Sequence, residues 1–205
     1  MAFDPKSKGF WNLPNTLTVV RIFMVPVMVI LLLDEPTEME AVACCAIFVV
    51  AMVTDIIDGY LARKWGLVSV AGAFLDPLAD KLMVISTLVM LVPLGWVPGW
   101  LVAALICREL TITALRTIAV SEGIILAADQ LGKFKTAFQS TAIGFLLWHY
   151  PTRFWPGDHS LTVDAHSCGI VLIYFALAFA MISAFNYLAS FFREASANSA
   201  AKASS

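Results

Sequence analysis

Residues 55–80 read DIIDGYLARKWGLVSVAGAFLDPLAD, and the fold is decided there. The stretch sets four aspartates in an otherwise apolar setting, with Asp55 and Asp58 three residues apart and Asp76 and Asp80 four apart. Residues at either spacing share one face of a helix. Each pair therefore predicts a helix with two carboxylates on a single side. Arg63, Lys64, Trp65 and Gly66 form a short connection between them, so the two helices make an antiparallel hairpin. The nested pairs Asp58 with Asp76 and Asp55 with Asp80 are centred on almost the same residue, Leu67. Closing the hairpin brings both pairs to a similar level.

Outward from this stretch the chain is apolar in both directions. Of 205 residues, 60% are hydrophobic and only 14% charged, with a mean hydropathy of +0.84. That balance excludes a large soluble domain, and with about 20 residues per membrane span it allows roughly six spans. Apolar runs cover residues 13–33, 39–61, 71–92, a fourth from the Pro- and Gly-rich turn at 93–99 to Thr117, 135–150 and 167–192. The expected fold is an all-α integral membrane protein, a bundle of six transmembrane helices forming one domain over residues 1–193. The Ala- and Ser-rich tail, 194–205, is expected to be disordered. The first run ends in Asp34, Glu35 and Pro36 rather than at a small-residue cleavage site, which predicts a retained helix and not a signal peptide. A formal net charge of −2 gives no basic face for nucleic acid. The four cysteines have neither metal-ligand spacing nor a disulfide framework.

With six spans, both termini lie on one side. Twelve of the 13 Lys and Arg residues fall on that side, and only Arg153 falls opposite. By the positive-inside rule both termini are cytoplasmic.

A charge at the centre of a membrane helix costs about 3 kcal/mol on insertion scales, so the four aspartates are expected to face a polar cavity and to perform a task. Close together they need counter-charge. Oxygen-only ligands with no histidine or thiolate point to a hard divalent cation, Mg²⁺, Mn²⁺ or Ca²⁺, rather than zinc or copper. Four carboxylates suit two ions, an arrangement that binds phosphate oxygens and assists in-line displacement at phosphorus. Gly59, Ala62 and Gly72 are small enough to let helices approach and to leave room for a ligand. Two other readings remain open at this point: the aspartates are ion-paired to Arg63, Lys64 and Lys81 as structural glue, or they line the ion pathway of a channel or transporter.

The full spacing, Asp55-x2-Asp58-Gly59-x2-Ala62-Arg63-x8-Gly72-x3-Asp76-x3-Asp80, resembles the signature of the CDP-alcohol phosphatidyltransferase family at all eight fixed positions. The resemblance implies a six-helix membrane bundle, commonly a homodimer, with its active site open to the cytoplasmic leaflet, here of a bacterial inner membrane. It implies two divalent cations, Mg or Mn, held by Asp55, Asp58, Asp76 and Asp80, with Asp80 as the catalytic base. It also places CDP-diacylglycerol on Asn15, Asp58, Gly59, Ala62, Arg63 and Gly72. Three further segments resemble the branch of the family whose acceptor is glycerol 3-phosphate: residues 12–18 with Arg21, Arg108-Glu109 with Ala114-Leu115-Arg116, and 132–136. Arg21, Arg108, Arg116, Lys133 and Lys135 then form a candidate phosphate pocket, because Arg binds phosphate through a planar fork and Lys as a point charge. Glu109, Thr113 and Arg116 make a polar stripe expected to face the bundle interior. Acceptors used elsewhere in the family, in cardiolipin, inositol-phosphate and serine phosphatidyltransferases, are the alternatives, and anionic-lipid contact is the competing role for the basic residues.

Overall fold

The computed structural model describes residues 13–65, 70–123, 130–153 and 162–203. Six helices lie among them: α1 (Leu13–Leu31), α2 (Glu38–Trp65), α3 (Val70–Leu91), α4 (Gly99–Ser121), α5 (Gln130–Trp148) and α6 (Ala165–Ala203). The connection before α6 contains two short antiparallel strands, β1 (Thr152–Arg153) and β2 (Thr162–Val163), with Thr152 opposite Val163. At the other end, the helix does not stop where composition predicts a disordered tail. It continues to Ala203, consistent with alanine being the strongest helix former.

The helix ends are set by local chemistry. At the start of α2 the Thr37 hydroxyl accepts from the Glu40 N–H at 3.4 Å, while the Glu40 carboxylate accepts from the Thr37 N–H at 2.8 Å, a reciprocal capping box. Asp164 caps α6 by accepting from both the backbone and the hydroxyl of Ser167. Those bonds hold its carboxyl below the usual carboxylate range. After α3 the chain turns at Gly95, whose φ of +72° closes the helix with a bond from the Trp96 N–H to the Leu91 carbonyl. Proline interrupts two helices from within, Pro26 in α1 and Pro77 in α3. Each removes one ladder donor, and Pro77 does so in the turn between Asp76 and Asp80.

α2 and α6 each contain a segment long and apolar enough to cross a membrane, Glu38–Tyr60 and Ala165–Ser196. The chain divides into two compact units. One comprises residues 1–97 and 143–169, the other 98–142 and 170–205. In the first, α1 packs along both α2 and α3. Met28 of α1 and Leu32 just past its end, Cys44 and Phe48 of α2, and Met83, Leu88 and Leu91 of α3 form the buried core. The second unit is centred on Leu101, Leu105 and Ile112 of α4, with Ile173, Ala176, Ala180 and Ala184 of α6.

One end of the first unit is tied by aromatic and imidazole rings. His149, just past α5 and held at a φ of +47°, stacks on Trp96 with centroids 3.9 Å apart. It also meets His166 edge to face at 4.8 Å. Tyr150 beside it donates its hydroxyl to the Pro36 carbonyl at 3.1 Å. The connections before α2 and after α3 are thereby joined to the end of α5 and the start of α6. The His149 Nδ1 atom is buried without a hydrogen-bond partner. Burial, and then the neighbouring His166, lower its pKa against the opposing pull of Asp164. A histidine whose folded pKa lies below the unfolded value of about 6.5 favours folding fully above that pH. The contribution is lost as pH falls below 6.5 towards the folded value. The melting temperature of the detergent-solubilised protein should therefore drop between pH 7.5 and 5. His149→Phe, which keeps a ring on Trp96 but cannot titrate, should flatten that part of the profile; an unaltered profile would remove His149 as its source.

Candidate active site

The polar face of α1 gathers the aspartates. Asn15, Thr18 and Arg21 recur at three-residue intervals on one side of the helix, and all are buried, Arg21 with 1% of its surface exposed. An arginine so placed in an apolar helix requires carboxylates, since an unpaired buried charge is strongly unfavourable. It has two on α2: Arg21 donates from Nη1 to Asp55 Oδ1 at 2.7 Å and from Nη2 to Asp58 Oδ2 at 2.9 Å. One turn nearer the N-terminus, the Thr18 hydroxyl donates to Asp76 Oδ1 on α3 at 2.5 Å. Three of the four aspartates, from two different helices, are thus anchored to α1.

Asp58 is the most enclosed of them at 4% exposure, and the Asp55 side chain is 37% exposed. Asp76 and Asp80 are half-buried on α3, Gly59 is half-buried on α2 and Gly72 is buried on α3. The side chains of Ala62 and Arg63 lie outside the described residues. Lys64 is exposed and sits 5.7 Å from the Tyr60 ring, so its described contact is aromatic rather than acidic. Among the described residues, no three acidic, histidine or cysteine side chains are grouped closely enough to hold a metal ion as they stand. The donor chemistry nevertheless fits a hard divalent cation. The groups are carboxylates without nitrogen or sulfur ligands, and Arg21 uses only one oxygen of each of its two partners.

The second unit holds the basic residues in a network of its own. Glu109 of α4 accepts from Arg108 Nη1 at 3.2 Å and from Lys135 Nζ of α5 at 2.6 Å. The remaining Arg108 donors reach α6: Nε to the Ala180 carbonyl at 3.1 Å and Nη2 to the Ser183 hydroxyl at 3.1 Å. The side chains of Arg108 and Lys135 are only 9% and 10% exposed. Two cations against one carboxylate leave a surplus of one positive charge in a nearly buried setting, which suits an anion. Arg116 and Lys133 are different. Both are exposed, and Arg116 lies 5.9 Å from the Tyr187 ring. Thr113 is exposed as well, so the stripe expected to face the interior retains only Glu109 as a partly buried member.

Arg21, grouped by sequence with the phosphate-binding residues, is engaged by the aspartates. The sequence assigns no site role to Ser183, and to Thr18 none beyond its place in the segment 12–18. Thr18 shares the three-residue spacing of Asn15 and Arg21, and that spacing was the available signal. Ser183 has no comparable signal in an apolar helix.

An all-helical chain with two helices long and apolar enough to cross a membrane, and aspartates at this spacing on α2 and α3, is of the integral-membrane class. The model of the CDP-alcohol phosphatidyltransferase family matches residues 11–182, and the chain belongs to that family, whose members are integral membrane proteins that use a divalent metal. It is 41% identical over 150 residues to the CDP-diacylglycerol–glycerol-3-phosphate 3-phosphatidyltransferase of Bacillus subtilis (strain 168), covering 68% of this chain and 78% of that one. It is 37% identical over 182 residues to the protein of the same name from Haemophilus influenzae, covering 87% and 92%. A cardiolipin synthase (CMP-forming) from Oryza sativa is 37% identical over 204 residues, covering 93% of this chain and 60% of the relative.

Glu109→Gln should destabilise the second unit, because it leaves Arg108 and Lys135 nearly buried without their shared carboxylate. Removing one partner of a fully buried pair costs about 3–5 kcal/mol. Glu109 is partly exposed, so the expected loss is smaller, and a lower melting temperature measures it. Lys135→Met should cost less, since Glu109 keeps Arg108.

Proposed function

We propose that this protein transfers the phosphatidyl group of CDP-diacylglycerol to glycerol 3-phosphate, giving phosphatidylglycerol phosphate and CMP. The observation that carries the reading is the complete eight-residue signature in a chain similar over most of its length to enzymes named for that reaction. A lipid donor also accounts for placing polar chemistry among apolar helices.

Asp55, Asp58, Asp76 and Asp80 would hold two divalent ions, Mg²⁺ or Mn²⁺, which when bound would supply positive charge for the diphosphate and the leaving CMP. Gly59, Ala62 and Gly72 leave room for the cytidine and ribose, with Asn15 beside them, and Arg63 contacts the donor phosphates. Asp80 accepts the proton of the acceptor's 1-hydroxyl as its oxygen attacks the phosphatidyl phosphorus. The new P–O bond forms as the bond to CMP breaks, and the bonding pair leaves with CMP. No covalent enzyme intermediate is needed.

Arg108 and Lys135 supply the buried positive surplus for the acceptor's phosphate, with Arg116 and Lys133 as exposed contributors. A phosphate group on the acceptor favours glycerol 3-phosphate over uncharged alcohols. The second reading, transfer to phosphatidylglycerol, is favoured by the similarity to the rice cardiolipin synthase. The remaining helices complete six spans with both termini and the active site on the cytoplasmic face of a bacterial inner membrane, and the working unit is a homodimer.

The deciding experiment measures CMP release by the purified full chain in mixed micelles of CDP-diacylglycerol with Mg²⁺, across a panel of acceptors. Stimulation by glycerol 3-phosphate, and not by phosphatidylglycerol, inositol phosphate or serine, is expected; no release with any acceptor would favour an ion pathway instead. Asp80→Asn should lower kcat by about 10²–10⁴-fold, the usual contribution of a general base, with donor binding little changed. Arg108→Ala should raise the KM for glycerol 3-phosphate while leaving the KM for the donor in place.

A further inference from the structure

We propose that Arg21 and Thr18 are positioning residues for the acidic site, fixing Asp55, Asp58 and Asp76 in one mutual arrangement through a single oxygen of each. The inference rests on the reading above, in which these aspartates hold the ions.

The geometry of Arg21 is specific. Its guanidinium does not form a two-pronged pair with one carboxylate but spans two, giving one nitrogen to Asp55 and another to Asp58. A rigid planar fork used in this way sets the distance between its partners and the orientation of both. Each carboxylate keeps its second oxygen for another ligand. A lysine in the same place would supply the charge from a single flexible point and could not impose that separation. The Arg21 side chain also bears a cost: its Nε is buried and has no hydrogen-bond partner. Charge neutralisation alone would be served by a side chain without that orphaned donor, so the orphan favours a role for the fork itself.

Thr18 does the same for the other helix. Its hydroxyl lies on a residue with no exposed surface and is directed at Asp76 Oδ1. α1 carries no acid of its own, yet it contacts three of the four aspartates, on α2 and on α3. It is the template on which they are set. In metal sites, partners that orient the ligands rather than touch the ion commonly govern affinity by 10–100-fold when altered.

The test uses the full chain in detergent, with Mn²⁺ binding followed by the loss of the free-ion electron paramagnetic resonance signal. Arg21→Lys keeps the charge and removes the fork. It should weaken Mn²⁺ binding by on the order of 10-fold and lower kcat, with the KM for the acceptor unchanged. Thr18→Val should weaken binding to a lesser degree, and Thr18→Ser, which restores the hydroxyl, should recover it. Asp58→Asn is the reference that should abolish high-affinity binding. Wild-type Mn²⁺ affinity in a folded Arg21→Lys protein, or tighter binding that reveals Arg21 as a mere competitor for the acids, would overturn the proposal. Should Arg21→Lys fail to fold, the two Thr18 variants decide, and equal affinity in Thr18→Val is the overturning result. If the wild type binds no Mn²⁺, or Asp58→Asn binds it unchanged, the metal-site reading falls and this inference with it. If wild type binds and Asp58→Asn does not, the remaining variants judge the positioning role alone.

Discussion

The charge of Arg21 is the constraint from which the first unit follows. An almost fully buried guanidinium within an apolar helix has to be met by carboxylates, and Asp58, itself nearly buried, has the reciprocal need. Between helices in lipid there is no hydrophobic driving force to choose a register, because the surrounding chains are as apolar as the side chains. Polar pairs can make that choice. Arg21 fixes the level of α1 against α2, and Thr18 fixes it against α3. The apolar packing of Met28 further along α1, and of Leu32 just past its end, is then a consequence of where its polar end is pinned.

The second unit uses the same device with opposite sign. Around Arg21, two aspartates meet one cation, and Asp76 is held by Thr18. Around Glu109, two cations meet one carboxylate. Arg108 is held by the Ala180 carbonyl and the Ser183 hydroxyl as well as by Glu109. Its guanidinium is therefore oriented before an anion arrives, which lowers the ordering cost of binding.

How much of this was legible in the sequence depends on whether the signal was periodic or tertiary. The aspartate spacing was readable because helical geometry converts i, i+3 and i, i+4 directly into a shared face. The helix order was readable because apolar runs are long and turn residues such as Gly95 punctuate them. Arg21 was placed with the phosphate-binding residues because its charge announces an anion without saying whether that anion is a substrate or an aspartate of the same chain. The stack of His149 on Trp96 joins residues 53 positions apart and leaves no local trace. In the tail 194–205 a composition suggestive of disorder is, in alanine, also one suited to helix, and α6 is helical to Ala203.

Which helices read as clear spans is explained in part by the same chemistry. Among the described residues, only α2 and α6 contain segments long and apolar enough to count as spans on composition alone. α1 is apolar over the shorter stretch Asn15–Leu31, and the other three are interrupted by polar residues. α1 carries Asn15, Thr18 and Arg21, and α3 carries Asp76, Asp80 and Lys81. Likewise, α4 carries Arg108 and Glu109, and α5 carries Lys133, Lys135 and Gln139. Such residues are tolerated in a membrane helix when they face partners and not lipid, and Arg21, Arg108 and Lys135 each have one. α2 bears four acids and still passes, because Glu38 and Glu40 open the helix, Asp55 and Asp58 lie near the end of the apolar segment, and the stretch between is apolar. Polar residues gathered at a site therefore interrupt the apolar signal of α3, α4 and α5, whereas α1 keeps its apolar character around Arg21 because its polar residues are few and lie on one face.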